Sequence, residues 1–176
     1  MKRTLITIFA VLWIASNVFA AEGPQPSPRL KDLSGIEGHW TCSGTTFEFM
    51  GVPAHKSAAT MDITWDLDKF WLHVYYTESK TSENPAPVSF RSFWTWDARE
   101  TKFVATAVDN YGGRLAETSA GWIGDKLTLA GDLHIGEQTI PLHEIWTKIG
   151  PSKIMHTGEG EVGGKWTKLD EEICTR

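Results

Sequence analysis

From residue 60 onward the chain alternates apolar and polar side chains in short runs. That period of two restricts its fold more than any other feature. Met61, Ile63, Trp65 and Leu67 alternate with Thr60, Asp62, Thr64 and Asp66. Successive strand residues point to opposite faces, so the pattern predicts a strand with one buried face. Phe70, Leu72, Val74 and Tyr76 form a second run, and Val88, Phe90, Ser92, Trp94 and Trp96 a third. Further runs cover residues 103–108, 115–123, 126–135, 138–148, 153–162 and 165–175. Asp-, Gly- and Pro-containing turns separate them, among them Asp109-Asn110-Tyr111-Gly112-Gly113 and Gly163-Gly164, which suit positive φ. With residues 40–50 as the first strand, about ten strands follow one another with short links. Such links make sequence neighbours antiparallel and leave a barrel or a sandwich as the architecture.

The two cysteines bear on that choice. Cys42 lies in the first expected strand and Cys174 in the last. The N-terminus reads as an export signal: Lys2 and Arg3, then an apolar core, then Val18-Phe19-Ala20 ahead of a cut between Ala20 and Ala21. The apolar run falls short of the roughly 20 residues of a membrane span, so no stable membrane insertion is expected after cleavage. Two cysteines in an exported chain predict one structural disulfide. Pairing the first strand with the last would bring Cys42 and Cys174 together and close a barrel. Residues 21–29 are a proline-rich leader, and residues 30–176 are expected to form one β-barrel domain. Leu30, Leu33 and Ile36 recur every three residues, as a short helical turn plugging a barrel end would require.

Removing Lys2 and Arg3 leaves 15 basic residues against 22 acidic ones, a net charge of −7. Such a chain is a poor candidate for nucleic acid or anionic surfaces. Other chemistry is sparse. Gly158-x-Gly160-x-x-Gly163 matches a dinucleotide pattern, but no helix follows and glutamates occupy the gaps. His143-Glu144 begins a zinc pattern that Thr147 breaks. No metal site and no catalytic residue are assigned. An enzyme reading would draw acid–base groups from Asp97, Asp109, Glu117 or His143, and at least two would have to meet at one barrel mouth. Eight tryptophans remain after residue 20. They suit either the wall of an apolar cavity or a filled barrel core.

Gly38-x-Trp40 resembles the opening motif of lipocalin and calycin barrels, in which the tryptophan closes one end. Gly38-x-Trp40-x-Cys42-x-Gly44 is similar to the motif of nitrobindin-like haem barrels, with Cys42 in place of a glycine. Phe90-Arg91-Ser92-Phe93-Trp94-Thr95-Trp96-Asp97, then Phe103, Asp109–Gly113, Gly121-Trp122, residues 126–131, Trp166 and Glu172-Ile173-Cys174-Thr175-Arg176 resemble in their order an exported bacterial family of unknown function with a calycin-like barrel. The resemblance implies fold and compartment, and no catalytic residue. Haem is the one cofactor it suggests, with His156, the last histidine, as the axial ligand.

The expectation is therefore an all-β, about ten-stranded antiparallel calycin-like barrel closed by its first and last strands, exported to the periplasm or beyond. Its partner is expected to be a small hydrophobic or amphipathic ligand. Trp40 would close one end. Met61, Ile63, Trp65, Phe70, Leu72 and Val74 would line the interior with Phe90, Trp94 and Trp96, and Arg91 and His156 would supply polar contacts. That reading asks for a void of roughly 300 Å³ or more. A structural envelope protein would instead have a filled barrel.

Overall fold

The computed structural model describes residues 23–176, so the expected signal peptide and the first two leader residues lie outside the described residues. Eleven strands form one antiparallel sheet: β1 (Gly38–Thr46), β2 (His55–Asp66), β3 (Trp71–Glu78), β4 (Ser89–Asp97), β5 (Lys102–Asp109), β6 (Arg114–Ser119), β7 (Trp122–Ile123), β8 (Lys126–Ile135), β9 (Gln138–Gly150), β10 (Lys153–Val162) and β11 (Lys165–Thr175). Sequence neighbours pair throughout, except that β6 passes over the short β7 to pair with β8. β1 pairs with β11, and the sheet thereby closes into a ten-stranded barrel with β7 as an extra strand on β8. Closure leaves no row of unpaired backbone groups along the barrel wall.

The seam is the predicted one. Cys42 and Cys174 are cross-strand partners and are joined by a disulfide. Beside it, Gly44 faces Glu172 in register. A Cβ on Gly44 would stand 2.0 Å from the Glu171 carbonyl oxygen, so this approach requires glycine. Gly131 has the same function on the far side of the barrel, where its Cβ would meet the Ala116 carbonyl oxygen of β6 at 2.0 Å.

Two features differ from the sequence expectation. The run at residues 115–123 is two strands, because Gly121 adopts φ of +100° and carries the chain off β5. The first strand ends at Thr46 rather than residue 50. Beyond it Phe49 and Val52 pair around Met50-Gly51, both at positive φ, forming a small hairpin tip.

The two barrel ends are built differently. A 3-10 helix at Pro28–Ile36 plugs one, burying Leu30, Leu33 and Ile36. Pro28 and Arg29, expected in the leader, thus open the helix instead, in keeping with proline's preference for a first helical position. The Trp40 indole donates to the Ile36 carbonyl at 2.9 Å, and the Arg176 guanidinium covers its ring at 4.5 Å. Ile63, Leu72, Val74, Trp94, Phe103, Leu127, Leu129 and Trp146 fill the interior above. Trp94 and Trp146 meet edge to face at 5.2 Å. The other end is open.

Candidate functional site

A cavity of about 260 Å³ occupies the open half of the barrel. Its walls are apolar. Phe49 and Val52 come from the hairpin tip, Val88 from the approach to β4 and Phe90 from β4 itself, and Leu115, Leu133 and Leu142 from β6, β8 and β9. Tyr76 and Phe90 stack at 4.9 Å on one side. The volume falls short of the roughly 300 Å³ that the sequence reading asks of a ligand-binding barrel, which limits an occupant to a compact molecule. Filled core and cavity therefore coexist, one in each half of the barrel.

The floor is polar. His156 on β10 sets Nδ1 3.1 Å from Asp170 Oδ1 of β11, and its Nε2 lies 3.7 Å from Glu144 Oε2 of β9. The second distance is an ion-pair separation too long for a hydrogen bond. The Tyr76 hydroxyl donates to Glu172 Oε1 at 2.9 Å. Glu117 on β6 does not itself line the cavity; it is only 4% exposed, and its Oε1 has no partner. The Trp146 indole N–H, on a residue 1% exposed, is likewise unpaired at the cavity.

Register explains how so many carboxylates fit inside a barrel. Each stands across from a glycine: Glu117 from Gly131, Glu144 and Asp170 both from Gly158, and Glu172 from Gly44. A Cβ on Gly158 would lie 2.3 Å from Asp170 Oδ2, so the carboxylate occupies the space a side chain would take. A bulge at Gly158/Glu159 leaves Leu169 without a partner, and Leu169 and Asp170 both face the cavity.

These groups titrate far from their usual ranges. Burial pushes the Glu117 carboxyl up to about 9, and the charge of Glu144 adds to this against the pull of His156. Burial also raises Glu172, opposed by Ser57, His156 and Tyr76. Burial and Glu172 together push the Tyr76 phenol far up. For His156, burial disfavours the cation, but Asp170 and Glu144 outweigh it and hold the pKa well above the usual histidine value. At neutral pH Glu117 is therefore neutral and His156 is charged. Nearer the mouth, His55 Nε2 lies 3.0 Å from Glu78 Oε1 and ties β2 to β3.

The residues expected to face a ligand divide between several places. Met61, Phe90 and His156 line the cavity. Trp40, Ile63, Leu72, Val74 and Trp94 belong to the packed core at the closed end. Trp65 and Trp96 are half-buried against that core, with Trp65 donating to Glu37 at 3.1 Å and Trp96 edge-on to Phe103. Phe70 precedes β3 and is half-buried. Arg91 lies out of phase with Phe90 and Trp94 and covers the Tyr75 ring at 4.2 Å. Among the acid–base candidates, Asp97 accepts from the amides of Arg99 and Glu100, and Asp109 from those of Tyr111 and Gly113. His143 stacks on Trp166 at 3.8 Å. Glu117 alone of the four joins the interior cluster.

Haem does not fit this site. Both ring nitrogens of His156 are turned toward carboxylates, whereas an axial ligand must offer one nitrogen to iron. The compact cavity leaves no room beside them for a macrocycle.

No family model matches the chain, and no curated protein matches it. Among solved structures it is similar to the crystal structure of Rv2717c from M. tuberculosis. The TM-score is 0.66 at 13% identity, over 86% of this chain and 99% of that one. At that identity the likeness concerns the fold.

Proposed function

We propose that this protein is an exported, calycin-like barrel that binds one small amphipathic molecule in its open half. The observation that carries the reading is the contrast within one cavity: apolar walls above a polar floor on which the buried His156 Nε2 and the Trp146 indole N–H lack a hydrogen-bond partner. Buried polar atoms cost free energy unless they are hydrogen-bonded, so the floor favours an occupant with a polar end and an apolar body. The disulfide and the N-terminal sequence support export. The cavity also speaks against a purely structural barrel, whose interior would be filled at both ends.

The test is native mass spectrometry of protein purified from its own host envelope, beside a Leu115→Trp variant that fills the cavity. The expected result is a non-covalent small-molecule adduct on the wild type that the variant lacks. Equal adducts on both proteins, or none on either, would reject the reading.

A further inference from the structure

We infer that the ligand presents an uncharged oxygen acceptor, a carbonyl group on a compact apolar body, to the Trp146 indole N–H and the His156 imidazole at the cavity floor. This rests on the ligand-binding reading and deepens it. Among the described residues, three tryptophans are fully buried: Trp40, Trp94 and Trp146. A buried indole N–H ordinarily finds an acceptor. Trp40 donates to the Ile36 carbonyl at 2.9 Å, and Trp94 to Ser92 Oγ at 2.7 Å. Trp146 is 1% exposed and donates to nothing. It packs edge to face on Trp94 and also lines the cavity, so it stands where the filled core ends.

His156 is the cross-strand partner of Trp146, with the two rings 5.1 Å apart. Its Nδ1 faces Asp170 at 3.1 Å, while the buried Nε2 has no hydrogen bond. In the charged imidazolium both nitrogens carry protons, so Nε2 is a second donor beside the first. Seven buried side-chain polar atoms lack a partner among the described residues, and only these two belong to residues that line the cavity. What the floor is missing is therefore an acceptor. Supplying one recovers the free energy that an unmet buried donor costs.

Charge and proton count narrow its kind. An ammonium group has no lone pair for either donor and would stand against the imidazolium. A carboxylate would add negative charge beside Glu144, Asp170 and Glu172, which already line the floor. A hydroxyl brings a proton of its own, which no unmet atom at the floor calls for. A carbonyl oxygen has two lone pairs and no proton, one lone pair for each N–H. The body above it must be small. An apolar cavity of about 150 Å³ holds benzene, so one of about 260 Å³ admits a single ring with a short polar substituent. The stacked Tyr76 and Phe90 give that ring an aromatic wall.

Acetophenone, α-methylstyrene, benzoate and 1-phenylethylamine separate the possibilities, since all four carry a single ring. The first two have nearly the same shape and differ by a carbonyl oxygen against a methylene carbon. The other two carry opposite charges. Isothermal titration of the mature protein at pH 7 should rank acetophenone first, roughly tenfold tighter than the hydrocarbon. A cavity that asks only for apolar contact, or whose donors a trapped water already satisfies, would favour the hydrocarbon, which sheds less hydration on entry. Trp146→Phe keeps a ring in place and removes the N–H. It should reduce the ketone's preference by about threefold or more and leave α-methylstyrene binding much as before. If that variant fails to fold, the wild-type ranking decides. Equal or tighter binding of the hydrocarbon, the amine or benzoate would overturn the carbonyl assignment and leave the ligand reading standing. An unchanged preference in Trp146→Phe would also overturn it. If none of the four binds, the carbonyl assignment falls, and the adduct measurement on protein from its own envelope decides the ligand reading separately.

Discussion

At His156 one cation answers for several carboxylates, and its stability effect has a definite sign. Its folded pKa lies above the unfolded value near 6.5, so its contribution is complete below that pH and fades as pH rises through the folded pKa. His156→Gln should therefore cost about 1–3 kcal/mol at pH 6 and less at pH 10, as read from urea unfolding. The cost falls below that of a fully enclosed pair because water reaches Asp170 and Glu144 from the cavity. An equal loss at both pH values would show that packing, not charge, is what His156 supplies. Glu117 acts in an overlapping window. Its carboxyl is raised to about 9, so the native state binds more protons than the unfolded chain between pH 4.5 and 9, and stability declines as pH climbs through that range. Glu117→Gln cannot ionise. It should flatten the decline and raise stability at pH 8 by something on the order of 1–4 kcal/mol. A variant with the wild-type slope would place the titrating group elsewhere.

At the scale of elements, the two seams depend on glycine for lack of space. A methyl group on Gly44 or Gly131 would meet backbone oxygen at 2.0 Å, and backbone cannot rotate away as a side chain can. Gly44→Ala and Gly131→Ala should each cost about 3 kcal/mol, at the upper end for overpacking. Gly163→Ala, at a hairpin turn with open space around it, should cost only about 1 kcal/mol, from its positive φ. Chemical denaturation of the three variants checks the ranking, and a seam variant as stable as the turn variant would contradict it. The same seams show what the sequence could and could not reveal. Strand number and order were legible because alternation and turn residues are local. The β1–β11 pairing was legible because two cysteines marked it. The floor was not, because its members sit on four strands and meet only through register. A trace of it was nonetheless present: Glu144 falls in phase with Leu142 and Trp146, and Glu172 with Cys174, at positions where alternation calls for an apolar residue. Phase also explains Arg91, which was expected to supply a polar contact to the ligand and which the pleat sets on the opposite face from Phe90.

For the whole molecule, closure is the step that costs most entropy. Every other strand pair joins segments close in sequence, whereas β1 and β11 lie more than a hundred residues apart, with 132 between the bonded cysteines. A cross-link over such a loop restricts the unfolded chain by at most about 5 kcal/mol, and measured gains often fall short. Reduction should therefore lower stability by about 2–5 kcal/mol without erasing the barrel, because five further register pairs and the Arg176 contacts to Gly35 and Glu37 still hold the seam. The loss should not be uniform. With the bridge gone, β1 and β11 can part while the meander of β8, β9 and β10 keeps its local pairings, so the seam becomes the first region to open. Native-state hydrogen exchange on oxidised and reduced protein would show this as a selective gain in exchange at residues 41–46 and 170–175. Because Glu172 and Cys174 form part of the cavity wall, the same opening should weaken ligand binding before global unfolding begins. If reduction speeds exchange evenly over all strands, the barrel opens as one unit, and the disulfide acts on the unfolded chain alone.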